Sequence, residues 1–202
     1  MRELINTGPV EGLATSGYYL ALRVGFAFPL IEINNLPEEW VEHYTLQRFM
    51  LFDPVIRWVY SNNGAIRWSE VDLPDPRKIM VQAASFGLRY GMVVSYLDGA
   101  EQGQRSFGSF ARADREFTDD EIAELEQHVV TWHRETEPPT NLTAAELEAL
   151  RMVRSGMRTK QIAYELGVSE GAVKQRLRNA KTKLNAQTGT EAATKAQGFG
   201  LL

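Results

Sequence analysis

The sequence predicts an α+β body with a mainly antiparallel sheet, followed by a separate all-α helix-turn-helix domain. Three observations predict it. Apolar periods near 2 and near 3.6 residues alternate through the first two thirds of the chain. The segment "HRETEPPTN", His133 to Asn141, then joins charged residues to two prolines, which stop a helix and stiffen a short connection. After it only helical periodicity remains. The expected division is a first domain over 1–135, a linker over 136–141 and a helical domain over 142–202.

Taken in order, "GYYLALRVGFAF" and "LIEI" read as strands with a turn near Pro29. "LPEEWVEHYTLQRFM" reads as a helix with Pro37 as its first residue and glutamates in its first turn. "GAIRWSE" is a short strand, and "DPRKIMVQAASFG" a helix that Gly87 ends. "GMVVSYLDG" and "QRSFGSFAR" form a strand pair across a glycine-rich turn. "TDDEIAELEQHVVTWHRE" opens on a Thr N-cap and an acidic first turn and is a long helix. Beyond the linker, "LTAAELEALRMVRSG" carries a capping box, Thr143 with Glu146, and stops at Gly156. "TKQIAYELG", a three-residue turn from Gly167 and the longer "SEGAVKQRLRNAKTKL", capped by Ser169, make a helix-turn-helix. A last helix, "TEAATKAQGFG", follows.

Composition narrows the function. With no cysteine, disulfide and thiolate chemistry are excluded, and a reducing compartment fits. The most apolar N-terminal stretch is interrupted by Arg23 and Glu32 and is too short to span a membrane, so the expected location is the cytoplasm. The net charge of −4 is uneven: from Asn141 onward ten Lys/Arg face five Asp/Glu, whereas the first 140 residues hold twelve against twenty-one. A basic end on an acidic body points that end toward a polyanion, although a surplus of five charges also serves solubility.

The third helix after the linker sharpens this. Val173, Leu177, Ala180 and Leu184 make one apolar stripe, and Lys174, Gln175, Arg178, Asn179 and Lys181 lie on the other faces. Such a helix can enter the major groove of double-stranded DNA, cations meeting phosphates and guanidinium or amide groups meeting base edges. A solvated basic face would look similar. The cap, the turn and the preceding short helix favour a DNA reader.

The pieces "LT..E.E.L....G", "IA..L..S...V" and "KL" resemble the C-terminal domain of the LuxR/NarL group of transcription factors over about sixty residues. The resemblance implies a four-helix DNA-binding domain with Lys174 and Arg178 facing DNA. Ala145 and Ala172 stand where that pattern has Arg and Thr. A phosphorylated receiver does not fit in front of it, since "YYLALRVGFAF" is followed by Pro and Leu rather than paired acidic residues.

"WVEHYTLQRFMLFDP" poses a different question, because Asp53 sits in an apolar run with no basic neighbour. Either it bonds its own backbone, as an Asp before Pro commonly does in capping a turn, or a donor comes from outside. The aromatic residues around it equally suit an ordinary core. Yet Trp40, Tyr44, Asp53, Pro54, Trp68 and Gly91 resemble, in order and spacing, the autoinducer-binding domain of LuxR-type quorum-sensing regulators. That resemblance implies an α/β/α sandwich enclosing an N-acyl homoserine lactone, with no cofactor beyond this small-molecule ligand. Trp40 would donate to the lactone carbonyl and Asp53 would accept the ligand's amide N–H. Tyr44 and Trp68 would form walls, and Ser109 would reach the amide region. Leu36 stands where well-studied members carry a Tyr that contacts the acyl carbonyl, and Ser95 replaces a Pro.

The expected protein is a cytoplasmic, homodimeric transcription factor that senses a diffusible autoinducer and binds an operator, with contacts between copies through the exposed parts of the last helix, around Ala192 to Ala196, and of the long "IAELEQHVVTWH" helix. Two rivals remain. One is a ligand-independent regulator whose first domain is filled by its own side chains and serves for dimerisation. The other is an enzyme such as a lactone hydrolase, against which His43, His128 and His133 form no metal spacing and no Gly-x-Ser-x-Gly elbow exists.

Overall fold

The computed structural model describes residues 5–25, 28–99 and 104–202. It divides into two compact units, Met1–Glu137 and Pro138–Leu202. The proposed glycine-rich turn at 100–103 and the "FA" of the first strand lie outside the described residues.

The first unit is built on a five-stranded antiparallel sheet in the order β2-β1-β5-β4-β3. Its strands are β1 (Gly17–Val24), β2 (Pro29–Asn34), β3 (Gly64–Arg67), β4 (Tyr90–Leu97) and β5 (Arg105–Arg112). Pro29 starts edge strand β2 opposite Val24 of β1, so the chain reverses near it as expected, and there its missing N–H costs no ladder bond. Before and between the strands come α1 (Gly8–Glu11), α2 (Glu38–Leu46), α3 (Pro54–Ser61) and α4 (Ile79–Ser85), and after them α5 (Asp119–Glu135).

Alternation assigns the two faces of the sheet. Leu20, Leu22, Met92, Val94 and Phe110 pack with Leu125, Val129 and Trp132 of α5. On the other face Ala21, Val93 and Phe107 meet Val55 and Val59 of α3. The first unit is thus an α/β/α sandwich. Thr118 caps α5 through the reciprocal box with Glu121, whose carboxyl is held down at about 2 by Arg115. Two helices are shorter than their sequence periods suggest. Arg48 turns left-handed at φ 54° after α2, and Asp75 starts α4 late by accepting from the N–H groups of Ile79 and Met80. Ser95, fully buried, donates to the Val59 carbonyl at 2.9 Å and clips β4 to α3.

The second unit holds α6 (Ala144–Arg154), α7 (Thr159–Glu165), α8 (Glu170–Lys183) and α9 (Gly189–Gly198). The Thr143–Glu146 capping box forms, and Gly167 takes the left-handed turn at φ 62° between α7 and α8. Leu150, Ala180, Leu184, Ala192, Ala193 and Ala196 share one core. The alanines proposed as contacts between copies are therefore internal, at 0–2% exposure, because their small side chains let α9 seat closely against its neighbours. The apolar face of α5 is likewise spent on the sheet. Among the described residues no helix is long and apolar enough to cross a membrane.

Candidate functional site

Between the sheet and the helices α2, α3 and α4 lies a cavity of about 260 Å³. Trp40, Tyr44, Asp53, Trp68 and Ser109, read separately from the sequence, all line it, and so does Leu36. The helices supply an aromatic wall. Trp40 meets Tyr44 edge-on at 5.5 Å between ring centroids, and Tyr44 meets Phe49 at 5.8 Å and 85°. Val55, Ile56, Ile79 and Met80 extend this lining with apolar surface, whereas Tyr19, Phe107 and Ser109 come from the sheet.

Trp68 is placed by a glycine. A Cβ on Gly91 would lie 2.1–2.3 Å from the indole, so only glycine lets this ring lie flat on β4. Its Nε1 is buried and, among the described residues, has no hydrogen-bond partner.

Asp53 has donors of its own. It is the N-cap of α3: Oδ1 accepts the Val55 N–H at 2.8 Å, and Pro54 supplies the preset φ of the first helical position. Its other oxygen, Oδ2, accepts the Tyr44 hydroxyl at 2.8 Å. Tyr44 is therefore more than a wall, and Asp53 already has two donors within the chain. A carboxylate nevertheless offers about four lone-pair directions, so two protein donors leave capacity for a third. Burial at 8% exposure raises the Asp53 carboxyl above its ordinary value, opposed by the bond from Tyr44 and then by the backbone N–H groups of Val55 and Ile56. Burial and then the Asp53 charge push the Tyr44 phenol up, so it stays a neutral donor.

A second polar cluster lies on the α5 side of the sheet. A bulge in β1 and a left-handed φ of 51° turn Arg23 inward, where its Nε donates to the His133 carbonyl at 2.9 Å. Ser106 Oγ meets His133 Nδ1 at 2.7 Å, and His133 Nε2 meets Asp98 Oδ2 at 3.2 Å. The order resembles a nucleophile–base–acid chain. Ser106 is, however, fully buried, its Oγ accepts from the Arg23 N–H at 2.8 Å, and it does not line the cavity.

On the second unit, Lys174, Gln175, Arg178 and Asn179 are exposed on α8, and Gln175 Nε2 donates to Asn179 Oδ1 at 2.8 Å. Lys181 is half-buried, with Nζ 3.1 Å from the Gln187 carbonyl. Lys183 is turned away from this face and reaches Glu146 at 2.8 Å. Burial works to raise the Glu146 carboxyl, but Lys183 and the Thr143 N–H hold it below its ordinary value.

The family model of the autoinducer binding domain matches residues 27–135, and that of the luxR family of bacterial regulatory proteins matches residues 140–196. The chain is 31% identical to the putative HTH-type transcriptional regulator y4qH of Sinorhizobium fredii over 85% of its own length, and it spans only 56% of that relative. It is 28% identical to the regulatory protein SdiA of Escherichia coli, covering 92% of this chain and 83% of SdiA. With the transcriptional activator protein VanR of Vibrio anguillarum it shares 29% identity, over 81% and 73% of the two chains. The solved structure of SdiA in complex with octanoyl-rac-glycerol covers 99% of this chain and 88% of its own at 24% identity and a TM-score of 0.51, a likeness of fold.

Proposed function

The chain belongs to the LuxR family of bacterial regulatory proteins, with an autoinducer-binding domain in its first unit, and from that premise we propose that it is a signal-dependent transcription factor whose cavity takes an N-acyl homoserine lactone. The observation that carries the ligand reading is Asp53: a carboxylate at 8% exposure that lines an apolar cavity with only uncharged donors beside it. Asp53 accepts the ligand's amide N–H, Trp40 donates its indole N–H to the lactone carbonyl, and Tyr44 and Trp68 wall the ligand. Ser109 reaches the amide region from the sheet. With Leu36 in place of a hydroxyl-bearing residue, the acyl carbonyl loses one anchor. The rival in which side chains fill the sensory unit is disfavoured by the open 260 Å³.

A ligand that binds only the folded state stabilises it by RT ln(1 + [L]/Kd), so melting temperature should climb with added lactone. No climb across a series of acyl lengths would reject the lactone. Incubation with the same series should leave the ring closed; ring opening would favour the hydrolase instead.

The second unit reads operator DNA through Lys174, Gln175, Arg178, Asn179 and Lys181, as a homodimer that presents two copies of α8 about one DNA turn apart. On an operator selected from random duplexes, Arg178→Ala should cost about 1–3 kcal/mol and relax specificity at one base pair, and Lys174→Ala should reduce the salt slope by about 1. Unchanged binding by the double variant would remove α8 from recognition, and a strict monomer on DNA would remove the dimer.

A further inference from the structure

The sheet side of the cavity carries a second carboxylate. Cross-strand register sets Asn34 beside Tyr19 and Glu32 beside Ala21, and Tyr19, Glu32 and Asn34 all line the cavity. The Tyr19 hydroxyl donates to Glu32 Oε1 at 2.8 Å, and its ring lies against Phe107 at 5.8 Å between centroids. Burial and the Glu32 bond push the Tyr19 phenol up, so it remains a neutral donor committed to Glu32. Among the described residues no Lys, Arg or His pairs with Glu32, and its other oxygen has no protein donor. The cavity thus presents acceptors on opposite walls: Asp53 from the helices and Glu32 from the sheet.

The two acceptors impose different demands on one ligand. An amide N–H satisfies Asp53. An alkyl chain along β1 and β2 would strip water from Glu32 and return nothing, a net penalty. A hydroxyl would return a hydrogen bond. An ammonium could also pair with a carboxylate, but the acyl chain of the lactone read here carries no charge, so the donor it can bring to Glu32 is an uncharged one. We propose that Glu32, held in place by Tyr19, is a specificity-determining acceptor that selects a ligand with a hydroxyl group on its acyl chain. The inference rests on the lactone reading of the cavity and names a feature of the ligand that this reading leaves open.

Calorimetric titration of the full chain with N-octanoyl, N-(3-hydroxyoctanoyl) and N-(8-hydroxyoctanoyl) homoserine lactone tests it. Wild type should bind at least one hydroxylated probe about tenfold more tightly than the unsubstituted one, or about 1.4 kcal/mol. In Glu32→Leu that preference should vanish, through weaker binding of the hydroxylated probe and no weaker binding of the alkyl one. Tyr19→Phe, which leaves the carboxylate but frees it to turn, should keep only part of the preference. Glu32 is exposed on an edge strand, so its variants should fold, and melting without ligand checks this. Equal affinity of wild type for all three probes, or a preference that survives Glu32→Leu, would overturn the role of Glu32 and leave the lactone reading standing. Failure to bind any probe would overturn both.

Discussion

The two faces of one sheet carry two buried polar clusters made from similar parts. Toward α5, Arg23, Asp98, His133 and Ser106 pair cation with carboxylate and hydroxyl with imidazole, and the Arg23 backbone closes the remaining valence. Toward the cavity, Asp53 has the Tyr44 hydroxyl and the Val55 N–H but, among the described residues, no paired cation. Charge neutralised inside the chain holds the chain together. Charge stabilised by dipoles alone is still open to a further donor, and here it lies beside a cavity. The difference separates two buried carboxylate clusters that a residue count would treat alike.

The strongest way to break this comparison is to remove Arg23. Breaking a buried ion pair by deleting one partner costs about 3–5 kcal/mol, and the partial exposure of Asp98 places Arg23→Met near the lower end. Urea unfolding should report that loss, while the Kd for lactone changes little under conditions where the variant is folded. A variant that keeps its stability but loses ligand would reverse the roles of the two clusters. Acidification probes the same cluster from the other side. Burial, then the Arg23 charge, lowers the His133 pKa, so the stabilisation is present above about 6.5, the ordinary His value, and is lost as pH falls through the depressed one.

Replacing Asp53 has the next largest effect and separates its two duties. Asparagine caps helices about as well as aspartate, so Asp53→Asn should melt within about 0.5 kcal/mol of wild type without ligand. It should still lose a charge-assisted bond to the ligand amide, roughly 1.5–3 kcal/mol, or about ten- to a hundredfold in affinity. Asp53→Ala should lose both cap and ligand. If Asp53→Asn shows the same lactone-dependent melting shift as wild type, Asp53 is only a cap.

What the sequence revealed follows from the range of the signals. The α8 stripe and the Thr143 and Ser169 caps were legible because each is set within four residues. The helix α3 was missed although Asp53-Pro54 is an N-cap followed by a first-turn proline, since eight residues give too few periods to see. The convergence of Trp40, Asp53, Trp68 and Ser109 on one cavity was visible only through a family pattern, because no local period links four separate elements. Tyr44 as a donor and Glu32 as a second acceptor depend on helix placement and strand register, which side-chain chemistry alone does not reveal. Alanines in α9 misled for a related reason: a small residue on a helix looks like spare apolar surface until its neighbour is known.

The smallest effect is the most diagnostic, because it concerns how Asp53 is tuned and not whether it is present. Its folded pKa is raised, so its contribution to the stability of the free protein is full below about 3.9, the ordinary Asp value, and is lost as pH rises through the raised one. The ligand's amide prefers the ionised carboxylate, so ligand-induced stabilisation should run the opposite way and grow across that same window. Tyr44 opposes the rise by donating to the charged form. Tyr44→Phe should therefore move the midpoint of ligand binding to higher pH, by about one unit if the bond is worth about 1.4 kcal/mol, the free energy of a one-unit shift. Arg23→Met should leave this midpoint unmoved, since Arg23 is in the cluster toward α5 and is absent from the causes of the Asp53 shift. The measurement is lactone Kd against pH for wild type and both variants. A midpoint that moves with Arg23 but not with Tyr44 would mean that the two faces of the sheet are electrostatically one site, and the distinction between a closed and an open cluster would fail.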